Sequence, residues 1–154
     1  MQKVKVGIAL AAAICAGAAG VSATAPMDSA PAKQLRAGGP LLPLTDRDMT
    51  SGTAGAGCGC SFDQGNRTLV SAAGSQLMVR TRAGRQVCRI TDARFRQFAN
   101  GSGTYNCGGV RLSLRETGSR QSSPETDSSG GPAALTVTQG RNRRTINGEF
   151  GCAC

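Results

Sequence analysis

Cysteine is the residue whose placement in this chain can do chemistry, and four of the seven cysteines lie in two mirrored segments. Cys58-Gly59-Cys60-Ser61-Phe62 reads C-x-C-x-F, and Phe150-Gly151-Cys152-Ala153-Cys154 reads F-x-C-x-C. In a strand, residues i, i+2 and i+4 share a face, so each segment presents two thiols and a phenyl ring on one side. Three chemistries are open to such a set. The thiols can pair as disulfides, bind zinc or Cu(I) as thiolates, or cycle as a redox dithiol. Structural zinc sites favour a wider spacing than C-x-C. A reactive dithiol needs a cation or imidazole beside it to lower a thiol pKa, and neither Lys nor His is near in sequence.

One geometric step favours disulfides. Setting the two segments antiparallel with Cys58 opposite Cys154 also brings Cys60 opposite Cys152 and Phe62 opposite Phe150. Directly opposed Cα atoms in such a ladder are about 4.5–5.5 Å apart, within a disulfide's reach. The rings then form an aromatic cross-strand pair beneath the bridges. Cys88 and Cys107 remain for a third bridge, one of several connectivities open to six cysteines. Closing a loop of about 100 residues is worth on the order of 4–5 kcal/mol in the chain-entropy model.

That chemistry needs an oxidising compartment, and the N-terminus reads as an export signal. Lys3 and Lys5 precede an Ala/Gly-rich apolar run from Val6 to Ala23, and Val21-Ser-Ala-Thr-Ala25 supplies small residues for cleavage after Ala23 or Ala25. Cleavage removes Cys15 and leaves six cysteines, an even count suited to a disulfide framework. It also removes two lysines and no acid, lowering the net charge from +9 to about +7. The expected location is the periplasm or the exterior of a bacterial-type cell, with no stable membrane span once residues 1–25 are gone.

The elements that hold the cysteines are short strands. Residues 26–57 carry Pro26, Pro31, Pro40 and Pro43 and end in a Gly/Ala/Ser/Thr run, the composition of a flexible tether. Leu41-Leu42-Pro43-Leu44 is its one apolar knot, a packing contact or a short docking peptide. From Cys58 onward, alternating apolar residues between turn signals predict strands over 58–62, 67–72, 76–82, 85–90, 104–115, 133–139 and 144–154. Thr91 is the expected N-cap of one helix that carries Phe95 and Phe98 on one face and ends at Asn100-Gly101. Residues 117–132 form a polar segment expected to be disordered. Asn66-Arg-Thr68 and Asn100-Gly-Ser102 match the glycosylation tripeptide, but read here as turns. The predicted fold is mainly β: a small antiparallel β-barrel or sandwich of about seven short strands with one short helix, stapled by disulfides over 58–154.

Charge points to a partner. Fifteen of the 18 basic residues are Arg, against 9 acidic residues. Alternation puts Arg80, Arg82, Arg111 and Arg115 on outward faces, with Arg141, Arg143 and Arg144 at a turn and Arg94 and Arg96 on the helix. Guanidinium forks suit phosphate and carboxylate, so these four outward arginines are the candidate anion-binding residues. The partner is then a polyanionic envelope component or an acidic envelope protein. The competing reading is a surface that serves solubility alone.

Catalysis has little to work with. Absence of His removes Ser-His-Asp and Cys-His arrangements and any imidazole metal site. Absence of Trp, with one Tyr, argues against a sugar-stacking cleft or a stacking platform for single-stranded nucleic acid. Beyond residue 57 the carboxylates are Asp63, Asp92, Glu116, Glu125, Asp127 and Glu149, and none belongs to a nucleophile, phosphate-loop or dinucleotide motif. We therefore expect a non-enzymatic binding or structural module without a cofactor.

One resemblance covers most of 58–154. A Cys-led first strand, Ser102-Gly103-Thr104-Tyr105 before a long strand, and a Cys-bearing last strand resemble the small periplasmic barrels that inhibit c-type lysozymes. The resemblance implies a barrel whose Ser-Gly loop, with a following Lys, plugs the hydrolase cleft. This chain departs from that pattern in its Ser-to-Tyr spacing, its lack of Trp, and the absence of any Lys after Lys33. Its positive charge would also repel a basic lysozyme. Inhibition of a cell-wall hydrolase is thus the alternative function, and thiolate metal or redox chemistry at the two C-x-C pairs is the next.

Overall fold

Alternation decides most of the architecture. Val110, Leu112 and Leu114 are buried while Arg111, Ser113 and Arg115 between them are exposed, so that strand has one face on a core and one on water. A computed structural model describes residues 39–50 and 58–154. The export segment 1–25 with Cys15, and the tether residues 26–38 and 51–57, lie outside the described residues.

Among the described residues the elements run α1 (Asp46–Thr50), β1 (Gly59–Gln64), β2 (Arg67–Ala73), β3 (Gln76–Thr81), β4 (Gly84–Arg89), α2 (Asp92–Ala99), β5 (Ser102–Cys107), β6 (Val110–Glu116), β7 (Gln121–Ser123), β8 (Ser128–Gln139) and β9 (Asn142–Ala153). All strand pairings are antiparallel, in the order β4-β3-β2-β1-β9-β8-β6-β5, with β7 added beside β8. The sheet curls into a nearly closed barrel. Its two edges, β4 and β5, share no ladder but are joined by the Cys88–Cys107 disulfide, with Cα atoms 5.6 Å apart.

The first and last strands meet in the register that the mirror requires. Cys60 lies opposite Cys152 and Phe62 opposite Phe150, with Cys58–Cys154 and Cys60–Cys152 disulfide-bonded. Cα atoms are 3.9 Å apart in both bridges, which belongs to the close, non-hydrogen-bonded kind of cross-strand pair. The four sulfurs are not equally inward. Cys60 is buried and Cys152 half-buried, but Cys58 and Cys154 are exposed because both strands end there, at the barrel rim.

Below the bridges Val79, Val70, Phe62 and Phe150 form one buried row across β3, β2, β1 and β9. The helix closes the barrel end that carries the staples. Thr91 caps α2 by accepting from the Arg94 N–H at 3.3 Å. Phe98 enters the core and meets Tyr105 and Phe150 edge-on, at 5.5 Å between centroids in each case. Burial pushes the Tyr105 phenol up to about 12, keeping it a neutral donor to the Ser102 carbonyl at 2.6 Å.

Two expectations change. The strand expected over 104–115 is a hairpin, because Gly108 and Gly109 take φ of +60° and +76° and turn the chain. The segment 117–132, expected to be disordered, holds β7 and the first part of β8. Arg120 orders it: the guanidinium pairs with Glu116 at 2.7 Å, donates to the Ala99 carbonyl at 3.1 Å, and covers the Phe150 ring at 5.6 Å. A separate feature concerns the β1–β9 seam, where a Cβ at Gly148 would collide with the Asp63 carbonyl and the Phe62 ring. Glycine there accommodates the bulge between Phe62 and Asp63.

The two terminal bridges close nearly the same loop, so their entropic contributions overlap. Urea denaturation of the Cys58→Ser/Cys154→Ser variant should show a loss below about 2 kcal/mol, against about 4–5 kcal/mol when Cys60 and Cys152 are replaced as well. Equal, additive losses from the two bridges would contradict the overlap.

Candidate functional site

The arginines sort into two groups according to what the fold places beside them. On the outer face of β3 and β4, Arg80 and Arg85 are directly opposed, an unfavourable like-charge pair. Residues 39–50 relieve it. Asp48 accepts from Arg80 at 2.5 Å through its carboxylate and from Arg85 at 3.2 Å through its main-chain carbonyl. Thr45 and Asp48 form a reciprocal capping box at the start of α1. The Thr45 N–H and hydroxyl each donate to Asp48 Oδ2 at 2.8 Å, and the Asp48 N–H donates to Thr45 Oγ1 at 3.2 Å. The Thr45 backbone N–H, opposed by burial and aided by the Thr45 hydroxyl and Arg80, holds the Asp48 carboxyl at about 2.

The same segment continues as backbone. β2 and β3 pair from Ala73↔Gln76 to Val70↔Val79. Beyond that point the Leu42 N–H donates to the Arg80 carbonyl and the Leu44 N–H to the Thr68 carbonyl, both at 2.8 Å. Leu41 is buried in the core. Residues 39–50 are therefore a docked strap, correcting the tether expected over 26–57 for this stretch. Of the four candidate anion-binding arginines, Arg80 is neutralised by Asp48.

The second group lies on the other half of the barrel, where the register aligns outward residues in rows. Asn106, Arg111, Thr138 and Arg143 make one row across β5, β6, β8 and β9. Thr104, Ser113, Thr136 and Thr145 make the next, and Ser102, Arg115, Ala134 and Asn147 the third, in which Ala134 is buried. Thr136 and Thr145 hydroxyls bond at 2.9 Å, and the Thr104 hydroxyl donates to Ser113 at 3.4 Å. These rows contain three arginines and no carboxylate. Arg111 and Arg115 thus stand on one face, as their spacing required, and Arg143 joins them from β9.

At the barrel mouth opposite the staples a recess of about 380 Å³ is lined by Arg82, Arg143 and Arg144, with Gln139 and Asn142 beside them and Gly39 and Pro40 of the strap as a wall. None of these three arginines makes an ion pair among the described residues. Arg144 reaches the mouth because its row partner Val137 faces the core, and the core ends there. Sequence reading placed Arg143 and Arg144 together at a turn. It missed that the two leave the Gly140 turn on opposite faces of β9, Arg143 on the outer row and Arg144 on the core side, and that both border the recess.

All six described cysteines are in disulfides, so in this state none offers a thiolate for metal or redox chemistry. Ser102 and Gly103 do not project as a loop. They open β5 opposite Arg115 and Leu114, and the Ser102 hydroxyl donates to the Gln97 carbonyl at 3.2 Å. Among the described residues no helix is long and apolar enough to cross a membrane. Compared with protein-family models, curated proteins and solved structures, the chain matches none.

Docking of the strap should depend on the ionised Asp48. Its carboxyl is held below the ordinary value of 3.8, so its contribution is fully present above that pH and is lost as pH falls through about 2. Hydrogen-exchange NMR should find the Leu42 and Leu44 amides protected at neutral pH and at least tenfold less protected in Asp48→Asn, with the β1–β9 amides unchanged. Unchanged protection of Leu42 in that variant would contradict the role given to Asp48.

Proposed function

We propose that this protein is an exported, non-enzymatic binding module whose arginine-bearing side takes a polyanionic partner of the cell envelope. The observation that carries the proposal is the recess ringed by Arg82, Arg143 and Arg144 with no carboxylate in its lining. Guanidinium groups left without counter-charges favour an external anion, and their planar forks match phosphate, sulfate and carboxylate. Two of the chain's few carboxylates, Asp48 and Glu116, are committed to Arg80 and Arg120 on other parts of the surface. Arg111 extends the charge outward from Arg143 through the row they share with Thr138. That continuity favours an extended ligand over a single small ion.

Three further observations support the rest of the reading. The basic, then apolar, then small-residue N-terminus has the order of an export signal. Three disulfides in a domain of this size suit an oxidising compartment. The closest approach of two carboxylates by register is Asp63 opposite Glu149, on the outer surface, where Asp63 accepts from the Ser61 and Thr68 hydroxyls. An open recess of about 830 Å³ adjoins them, but its lining of serines, glycines and the Cys60–Cys152 disulfide holds no Lys, Arg or imidazole to activate a hydroxyl, which favours binding over hydrolysis.

Retention on immobilised heparin tests the proposal. Binding should weaken steeply with salt, and Arg143→Ser/Arg144→Ser should reduce affinity about tenfold and lower the salt slope by about 1–2, one per lost contact. Arg89→Ser, an exposed arginine on β4 outside the recess and the arginine rows, should leave the slope unchanged. Retention that ignores ionic strength, or an Arg143→Ser/Arg144→Ser variant that elutes with the parent, would overturn it.

A further inference from the structure

We infer that the outer face of β5, β6, β8 and β9 is built for an acidic, polyhydroxylated chain: a glycan bearing sulfate, phosphate or carboxylate groups. The inference rests on the polyanion reading above and names the ligand class. Its basis is what lies between the arginines. Arg111 and Arg143 flank Thr138 in the row nearest the mouth, and Arg115 stands in the third row. The row between is hydroxyl from edge to edge, with Thr104, Ser113, Thr136 and Thr145. Neighbouring strands are about 4.8 Å apart and alternate residues along a strand about 6.7 Å. Arg111 and Arg143 are thus about 10 Å apart, and Arg111 and Arg115 about 13 Å, with polar groups filling the interval.

The chemistry of those groups separates ligand classes. A hydroxyl has one proton and two lone pairs, and an amide side chain both donates and accepts. The Thr136–Thr145 and Thr104–Ser113 hydrogen bonds use part of this capacity and leave a proton and several lone pairs in each pair. A bare polyphosphate presents acceptors only. It would engage the arginines and leave the lone pairs of four hydroxyls and of Asn106 and Asn147 unused. A chain carrying its own hydroxyls supplies donors as well. A single-stranded nucleic acid wants exposed aromatic rings for its bases. Phe62, Phe98, Tyr105 and Phe150 are all buried, and Phe95 packs against the core. The same lack of rings disfavours neutral sugars held by stacking, so the anionic groups carry affinity and the hydroxyl row supplies fit.

The test compares two polyanions on the full-length mature protein, heparin and long-chain polyphosphate, by titration calorimetry at matched ionic strength. Thr136→Val/Thr145→Val removes two hydroxyls while keeping β-branched shape on exposed or half-buried positions. It should weaken heparin binding at least fivefold and leave polyphosphate binding within twofold of the parent. Ser113→Ala, removing the exposed hydroxyl on β6, should act in the same direction and serves if the double variant misfolds. Unchanged heparin binding in folded variants overturns the glycan inference and leaves the polyanion reading standing. Equal weakening for both polymers overturns it as well, because the hydroxyls would then act without regard to ligand class. A parent protein that binds neither polymer overturns the underlying reading instead.

Discussion

The pairing of β1 with β9 constrains everything else in this domain. One register sets Cys60 against Cys152 and Phe62 against Phe150, and the exposed Cys58–Cys154 bridge locks the same alignment at the rim. Strands from opposite ends of the domain become neighbours in the middle of the sheet, so the free edges fall on β4 and β5. Long-range pairing of this kind carries a large loop-closure cost, and covalent closure takes it out of the folding step by lowering the entropy of the unfolded chain. The edges then need only a short closure, and Cys88–Cys107 with α2 between them provides it. Each disulfide thus stands where the sheet has a topological need. The aromatic contacts of Phe98 with Tyr105 and Phe150 join the helix to the stapled strand.

Charge distribution follows from that frame. The β3–β4 hairpin sets Arg80 and Arg85 face to face, and the strap carrying Asp48 relieves the pair. Glu116 and Arg120 serve the opposite barrel end, where they order the segment leading to β7. Of the other arginines, Arg67, Arg89, Arg94 and Arg96 are spread over β2, β4 and α2, while Arg111, Arg115, Arg143, Arg144 and Arg82 gather on β6, on β9 and at the mouth between the β3–β4 and β8–β9 turns. The strap has a double effect: it consumes one arginine as a potential anion contact, and through Gly39 and Pro40 it walls the recess where others converge.

The legible part of the fold was whatever alternation or mirrored spacing controls. Strand parity gave the buried and exposed sides of β6 correctly, and the C-x-C-x-F mirror gave a register because three pairs had to match at once. Thr91, Phe98 and Gly101 marked the helix through capping and periodicity. The strap was harder to see because its composition is that of a linker. Its signal was Thr45-Asp-Arg-Asp48, a capping box of the T-x-x-D type, next to the apolar Leu41–Leu44 knot. Ordering of 117–132 rests on strand pairing and on Arg120, which pairs with nearby Glu116 but also reaches the distant Ala99 carbonyl and Phe150 ring, and no local pattern encodes those two contacts. For the site, single-strand parity could place Arg111 and Arg115 outward. Only the pairing of β6, β8 and β9 aligns them with Arg143, and tertiary context alone pairs Arg80 with Asp48.

Connectivity of the six cysteines is the most direct check on this arrangement. Trypsin acting on the non-reduced mature protein, read by mass spectrometry, should release peptide 48–67 linked to 145–154, and peptide 86–89 linked to 97–111. Partial reduction and alkylation of the first pair should assign Cys58 to Cys154 and Cys60 to Cys152. A Cys58–Cys60 ring, or Cys88 joined to either terminal segment, would contradict the β1–β9 register and with it the placement of the arginine rows.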